Sequence, residues 1–568
     1  MILQAIHDIS ELCVLKGVED AVLSPGSRCA PLTISFAQNS GITKYTISDE
    51  RSAAFHALGI ASEKNKPVVL ICTSGSAAYN YAPAIAEAFY QNIPLIVLTA
   101  DRPKEWIGQQ DGQTIQQFEI YNKHVKQSYE LPADYNHTDA GWHINRVINE
   151  AINLCEQEPK GPVHINVPFR EPFYPTSDET LSFSENIRII KTYRADSGAE
   201  LEYYSRKIAD FSKVLVVPGQ TPYNPELIQA LSEFRQKTNC TIIADVITNL
   251  HELPDSIRHH DLFIDPKKGL PESFKPQLLI TFGNSLISKN LKIYLRNNPA
   301  AEHWHIQPYS HPVIDTLQSL TEIIQTDPRT FFHQVSMDGQ QSNDFNIQKK
   351  HNYQHAWSII DNKVNGFLEK EIQKDLFNEI NVVGTALKAI PNHSILHLAN
   401  SMAVRYANFI GLKGKKAVQV KANRGTSGID GSNSTAFGNA LVTDQLVTLI
   451  TGDLAFFYDR NAFWNNYKVP NLRIILINNH GGGIFRMIQG SEHLEELEDF
   501  FVTKQSQNAA HVAAEFGFQY GIVNNATELS RNLSVFYQKS SGPKLLEIRA
   551  ESRKSADYLK QIKSLVSD

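Results

Sequence analysis

Leu446-Val447-Thr448-Leu449-Ile450-Thr451-Gly452-Asp453 and Arg473-Ile474-Ile475-Leu476-Ile477-Asn478-Asn479-His480-Gly481 decide how this chain folds. Each is a short β-branched run that gives way to small or polar residues. Runs apolar on both faces read as strands of a parallel sheet covered by helices. In open α/β sheets ligands bind beyond the carboxyl ends of the strands. Gly452-Asp453 and Asn478-Asn479 therefore project at one edge of one sheet, and the helix expected after Asp453 aims its first amides there as well. Asp453 and Asn479 offer two hard oxygen ligands, and the turn at Gly481 offers a backbone carbonyl. With a diphosphate, that set fills the octahedral shell Mg²⁺ prefers. Taken singly, Gly-Asp and Asn-Asn are ordinary turn pairs; their spacing and shared strand context favour the metal reading.

Working outward, the same pattern recurs through the chain. Ala21-Val22-Leu23, Val68-Val69-Leu70-Ile71-Cys72, Leu95-Ile96-Val97-Leu98 and Val163-His164-Ile165-Asn166-Val167 read as buried parallel strands, with helices expected over 51–62 and 77–91. A stretch rich in Pro, Ser and Thr over 168–185 reads as a linker. Strands at Val214-Leu215-Val216-Val217, Thr241-Ile242-Ile243-Ala244 and Leu278-Leu279-Ile280-Thr281 form a second block, and the polar stretch 337–354 a second boundary. Ile395-Leu396-His397-Leu398, the two opening runs and Leu545-Leu546-Glu547-Ile548 form a third. The fold class is α/β: three consecutive parallel-sheet domains over 1–180, 190–340 and 355–568.

Gross properties narrow the function. The 568 residues suit about three to four domains. A net charge of −6 disfavours a broad nucleic-acid or membrane-surface role. No apolar run approaches the roughly 18–20 residues that span a bilayer, and Met1-Ile2-Leu3-Gln4-Ala5-Ile6-His7 reads as an amphipathic helix within the fold. Five scattered cysteines without a CxxC pair disfavour a disulfide framework or a zinc site. The expectation is a cytoplasmic, multidomain protein. No strand is followed by GxGxxG, which disfavours a dinucleotide-binding dehydrogenase.

Gly452-Asp453-Leu454 followed by Asn478-Asn479 resembles the signature of the thiamine-diphosphate-dependent enzymes. That resemblance implies pyrimidine-binding, central and diphosphate-binding domains, a cofactor touching Gly452, Asp453 and Asn479, and Mg²⁺ or Mn²⁺ on Asp453, Asn479 and the Gly481 carbonyl. It also implies a homodimer or a dimer of dimers with active sites between subunits. Glu50, in Ser48-Asp49-Glu50-Arg51 at the end of an expected strand, would be the catalytic acid/base toward the cofactor's aminopyrimidine; an apolar crevice raises a carboxyl pKa toward neutrality. By itself Glu50 is also an acid that a helix start favours. Ile429 would prop the cofactor, although a lone Ile reads equally as core.

Further motifs narrow the resemblance. Ser24-Pro25-Gly26-Ser27-Arg28, Asp49-Glu50-Arg51, Ala100-Asp101-Arg102-Pro103, Asn423-Arg424-Gly425-Thr426-Ser427-Gly428-Ile429-Asp430-Gly431 and Ile484-Phe485 are similar to the 2-succinyl-5-enolpyruvyl-6-hydroxy-3-cyclohexene-1-carboxylate synthases of menaquinone biosynthesis. Members couple 2-oxoglutarate to isochorismate, both dianions, and Arg suits carboxylates because its planar fork binds both oxygens. The resemblance places Ser401, Arg405 and Arg424 on the 2-oxoglutarate side, with Ile484 and Phe485 lining the pocket. Ser27, Arg28, Arg102 and Gln113 would face isochorismate, and Lys289 would add a cation. Some relatives carry a second basic residue after that lysine; here it is Asn290, with Lys292 as a substitute. An acetolactate-synthase-like carboligase or 2-oxo acid decarboxylase shares the cofactor chemistry but not the arginine set. The acidic stretch 492–501 reads as a surface helix, with a lid as the alternative.

Overall fold

The computed structural model describes residues 4–135, 137–171, 173–175, 181–185, 187–190, 201–265, 267–309, 313–337, 344–487, 490 and 494–567. Three sheets follow one another along the chain. The first comprises β1 (Asp20–Leu23), β2 (Thr43–Thr46), β3 (Val68–Cys72), β4 (Leu95–Asp101), β5 (Ser128–Glu130) and β6 (Val163–Pro168), in the order β2-β1-β3-β4-β6-β5. The second comprises β7 (Val214–Pro218), β8 (Thr241–Ile242), β9 (Leu278–Phe282), β10 (Glu302–Gln307) and β11 (Glu322–Gln325), in the order β11-β10-β9-β7-β8. The third comprises β12 (Ser394–Leu398), β13 (Val418–Lys421), β14 (Val447–Gly452), β15 (Leu472–Asn478), β16 (Gln519–Val523) and β17 (Lys544–Arg549), in the order β13-β12-β14-β15-β17-β16. All neighbouring pairs of the first two sheets run parallel, as do β12–β13, β12–β14, β15–β17 and β16–β17. The α/β reading with three parallel sheets is thus observed. In each sheet the strand order doubles back, which requires helical crossovers rather than hairpins.

Central strands β1, β3, β4, β6, β7, β9, β12 and β15 are buried along their whole length, which is why they read as unbroken apolar runs. β2, Thr43–Thr46, the strand expected just ahead of Ser48, lies at a sheet edge with one buried residue, where charge blunts unwanted pairing. Strands that escaped the sequence reading include polar ones. β10 is buried yet carries His303 and His305. Both rings bond the Thr281 hydroxyl of β9, at 2.9 and 2.8 Å, and burial pushes their pKa values down to about 4, so they sit in the core uncharged. The strand expected over 241–244 is shortened to Thr241–Ile242. Of the polar stretch 337–354, residues 338–343 lie outside the described ones; Asp344–Gln373 is one helix that buries Tyr353 and Trp357.

The chain forms two compact units. One contains 1–195, 423–444 and 455–472; the other contains 196–422, 445–454 and 473–568. Eight helices carry or support the site residues: α1 (Glu50–Lys64), α2 (Ala82–Gln91), α3 (Lys289–Asn297), α4 (Glu379–Ala389), α5 (Met402–Ile410), α6 (Ser432–Ala440), α7 (Asp453–Tyr458) and α8 (Ser552–Ser567). Within the first unit, α6 packs on α1 through two glycines. A Cβ on Gly59 would lie 2.2 Å from the Thr435 carbonyl oxygen, and one on Gly438 would lie 2.3 Å from the His56 oxygen. Backbone meets backbone there, and Asn439 Nδ2 reaches Glu63 Oε2 at 2.8 Å beside it. Among the described residues no helix is long and apolar enough to cross a membrane.

The α1–α6 crossing leaves no room for a methyl group. Gly59→Ala should cost about 1–3 kcal/mol, the range for overpacking a close-packed interior, visible as a lowered melting temperature. A surface control such as Gly366→Ala, in open space on its helix, should not lower it.

Candidate active site

β14 ends at Gly452, and Asp453 is the first residue of α7; β15 ends at Asn478, with Asn479 next. The Asp453 side chain is buried and fully engaged. Its Oδ1 accepts the Leu454 amide at 2.9 Å, and its Oδ2 accepts the Gly481 amide at 2.8 Å and Gln505 Nε2 at 2.6 Å. Burial raises its pKa, while those hydrogen bonds pull the other way. Gly481 has φ 152°, and a Cβ there would lie 2.8 Å from the Val502 oxygen, so the turn requires glycine. The Gly481 carbonyl accepts the Gly483 amide at 3.0 Å, which leaves its second lone pair for a cation.

The neighbouring asparagines divide the work. Asn478 is a brace: its Nδ2 donates to the Gln507 oxygen at 2.9 Å and to Glu547 Oε1 at 2.8 Å, and its Oδ1 accepts Gln505 Nε2 at 3.1 Å. Asn479 donates Nδ2 to Glu379 Oε1 at 2.8 Å, and its Oδ1 is buried without a hydrogen-bond partner. A buried amide oxygen costs free energy unless something meets it. Beside a carboxylate and a carbonyl, that orphaned oxygen fits a hard divalent cation, so this donor set suits Mg²⁺ or Mn²⁺ with a diphosphate. Among the described residues no cluster of three or more His, Cys, Asp or Glu could hold a metal alone. Glu379, the first residue of α4, is buried, and burial pushes its pKa up to about 7 against hydrogen bonds from Asn479 and Tyr406.

In the same unit Ser401 stands at φ 71° immediately before α5, and Arg405 Nη1 donates to its carbonyl at 2.5 Å. Burial lowers the Arg405 pKa, opposed by the field of Asp261. Asp261 also accepts the Ser288 hydroxyl at 2.6 Å, at the cap of α3. Lys289 opens that helix, so one acid relates Arg405 to the start of α3. Asn290 Nδ2 reaches the Asp261 carbonyl at 3.4 Å, and Lys292 Nζ reaches the Leu286 carbonyl at 3.3 Å. Ile484 and Phe485 lie in a 3-10 turn, Gly483–Arg486, with the Phe485 ring 5.8 Å from Phe501. Within 492–501 the described part is not a surface α-helix. Leu497–Phe501 forms one π-helical turn with Leu497 buried, and Arg486 grips Glu498 through Nε at 3.0 Å and Nη2 at 2.7 Å. That fork, with Lys504 and Arg553 nearby, holds the Glu498 carboxyl down at about 2.

The first unit carries the rest. Glu50 begins α1, half-buried, where Asn80 Nδ2 donates to its Oε2 at 3.2 Å. Asp49 caps the helix through the Ser52 amide at 3.1 Å, and its other oxygen takes Asn461 Nδ2 at 2.8 Å. Arg102 and Gln113 meet through the Gln113 backbone. Arg102 bonds Ser74 Oγ at 2.5 Å, the Gln113 carbonyl at 3.1 Å and Asp111 at 2.8 Å. Arg28 bonds the Phe169 carbonyl at 2.8 Å and lies 4.6 Å over the Phe173 ring. Its pKa is lowered by burial and then by the field of Arg102, opposed by Glu171, Asp111 and Asp101. Ser27 is exposed beside them.

Arg424 and Ile429 belong to this unit rather than to the one holding the third sheet. Arg424 is buried, whereas Ile429 is half-buried. Their loop hangs on Glu87 of α2, a buried acid that takes the Gly425 amide at 2.8 Å and the Thr426 amide at 2.6 Å. Glu87, Gln505 and Glu379 all went unread in the sequence. Each lies far along the chain from the motif it supports, and none carries a local pattern.

Two families match the chain: the N-terminal TPP binding domain of thiamine pyrophosphate enzymes over residues 4–120, and the middle domain of thiamine pyrophosphate enzymes over residues 206–398. A 2-succinyl-5-enolpyruvyl-6-hydroxy-3-cyclohexene-1-carboxylate synthase of Cytophaga hutchinsonii is 46% identical over 99% of both chains. Synthases of the same name from Christiangramia forsetii and Bacteroides thetaiotaomicron are 37% and 35% identical, over 95% and 98% of both chains. With relatives of that name aligned end to end and the cofactor-binding domain matched, this chain belongs to the 2-succinyl-5-enolpyruvyl-6-hydroxy-3-cyclohexene-1-carboxylate synthase family of thiamine-diphosphate-dependent enzymes.

Proposed function

We propose that this enzyme decarboxylates 2-oxoglutarate and adds the remaining succinyl semialdehyde unit to isochorismate, releasing CO₂ and 2-succinyl-5-enolpyruvyl-6-hydroxy-3-cyclohexene-1-carboxylate. The observation that carries this reading is the fixed guanidinium of Arg102, held by Ser74, Asp111 and the Gln113 carbonyl, with Arg28 within its field. Like charges held together cost free energy, and an anionic ligand relieves it. A dianion such as isochorismate fits that pair, with Gln113 and Ser27 beside it. Arg405 and Arg424 supply the cations for 2-oxoglutarate, Ser401, Ile484 and Phe485 complete that pocket, and Lys289 adds a further cation.

Thiamine diphosphate, when bound, supplies the electron sink that lets a 2-oxo acid lose CO₂. The residues around it bind, orient and move protons. Asp453, Asn479 Oδ1 and the Gly481 carbonyl would hold Mg²⁺ or Mn²⁺ against the diphosphate, Gly452 lets the diphosphate approach the backbone, and Ile429 packs against the cofactor. Glu50 exchanges a proton with the cofactor's aminopyrimidine; Asn80 steadies its carboxyl by a 3.2 Å hydrogen bond. The assembly we infer is a cytoplasmic homodimer or dimer of dimers with active sites between subunits.

Product analysis tests the assignment. Protein with Mg²⁺, thiamine diphosphate, 2-oxoglutarate and isochorismate should yield the coupled product by mass spectrometry; turnover of pyruvate alone would replace it with an acetolactate-synthase-like reading. Glu50→Gln should keep the fold while lowering kcat by roughly 10²–10⁴-fold, the usual share of a positioned acid/base; near-normal turnover removes Glu50 from the mechanism. Asp453→Ala should lose metal-dependent cofactor binding in calorimetry. Arg424→Ala should lower kcat/KM for 2-oxoglutarate on the order of tenfold or more, since a hydrogen bond to a charged group contributes about 1.5–3 kcal/mol; unchanged kinetics for that substrate clears Arg424.

A further inference from the structure

An asparagine amide has two ends of opposite polarity. A cation ligand must present its oxygen, and the flipped amide would present an NH₂ to the ion instead. Oxygen and nitrogen are nearly the same size, so packing alone does not choose between them. Only a hydrogen-bond partner that tolerates one end does so. For Asn479 that partner is Glu379 Oε1, 2.8 Å from Nδ2. A carboxyl oxygen accepts from the NH₂ and repels the carbonyl, so turning the amide over would set two oxygens against each other. The Asn479 oxygen is left buried and unpartnered.

Glu379 is built to hold still. Its backbone amide donates to Ser555 Oγ of α8 at 3.1 Å, and the helix it opens is capped by Asn378 Oδ1 on the Asn381 amide at 3.1 Å. From the other side, Gly483 closes on the amide: a Cβ there would stand 2.9 Å from Asn479 Nδ2 and 2.7 Å from Ser552 Oγ. An acid at a helix start is common because the macrodipole favours it, but such acids face water. Glu379 is only 1% exposed, and burying a carboxyl there is costly without a purpose for its oxygens.

We propose that Glu379 is a positioning residue of the cation site: through Asn479 Nδ2 it fixes which end of the amide meets the metal, and so sets metal affinity without touching the metal. The inference rests on Asp453 and Asn479 being the cation ligands. Groups that orient metal ligands typically change affinity 10–100-fold when removed.

The test is direct binding of Mn²⁺ in the presence of thiamine diphosphate, read by electron paramagnetic resonance of the free ion, with circular dichroism and thermal melting as fold controls. Glu379→Met keeps the volume and removes the acceptor; Mn²⁺ affinity should fall roughly 10–100-fold. Glu379→Gln can present either its oxygen or its NH₂ to Asn479 and so no longer selects one end of the amide; its Mn²⁺ affinity should fall as well, by no more than that of Glu379→Met. A folded Glu379→Met protein with native Mn²⁺ affinity overturns the proposal, as does a folded Glu379→Gln protein with native Mn²⁺ affinity. Should Glu379→Met fail to fold, Glu379→Ala in the same titration decides on the same criterion. Asp453→Ala separates the two levels of the argument. If it binds Mn²⁺ normally, the ligand assignment falls and the proposal with it; if it loses Mn²⁺ while Glu379→Met does not, the ligand assignment stands and only the role of Glu379 is refuted.

Discussion

A 2.8 Å hydrogen bond from the Gly481 amide to Asp453 Oδ2 ties the turn after β15 to the first residue after β14. The arrangement at the sheet edge depends on it. Parallel strands send their carboxyl ends to one side, but they do not by themselves set the distance between two turns. The Asp453 carboxylate does, because a buried charge seeks donors and finds three: the Leu454 and Gly481 amides and Gln505 Nε2. Gln505 then bonds Asn478 Oδ1 as well, so the two strand ends and the 505–507 segment form one polar knot. Such networks are rigid when fully satisfied and expensive when not. The one unsatisfied member, Asn479 Oδ1, lies where a ligand is wanted.

The first unit uses a different device for the same end. Glycines at 59 and 438 let α1 and α6 touch backbone to backbone, and Gly431, at φ 77°, would carry a Cβ 2.3 Å from the Phe55 ring. The loop that ends at Gly431 is thereby pinned at its exit. Glu87 pins its entry by accepting two consecutive amides, Gly425 and Thr426. Arg424 is thus presented by a loop with little freedom. Arg102 is treated likewise, held by Ser74, Asp111 and the Gln113 carbonyl.

The central strands were legible because burial on both faces demands unbroken apolar runs, and the chemistry-bearing pairs were legible because they stand at the ends of those runs. The polar strand β10 was not, because its histidines depend on Thr281, a residue on another strand. The 492–501 stretch read as a surface helix because its acids look solvent-facing; Glu498 is instead gripped by Arg486 from the turn carrying Phe485.

By itself the sequence determined the order of three parallel sheets, the positions of Glu50, Asp453 and Asn479 relative to their secondary structure, and the set of arginines. These are local: each depends on a run of a few residues and its immediate neighbours in the chain. Only the tertiary structure decided that Asn478 braces while Asn479 keeps a free oxygen, that Arg424 and Ile429 belong with the first sheet's unit, and that Glu87, Glu379 and Gln505 support the motifs. Those roles come from hydrogen bonds spanning tens to hundreds of residues of chain. A side chain's partner at such separation is set by how the sheets and helices pack, which no local pattern of residues encodes.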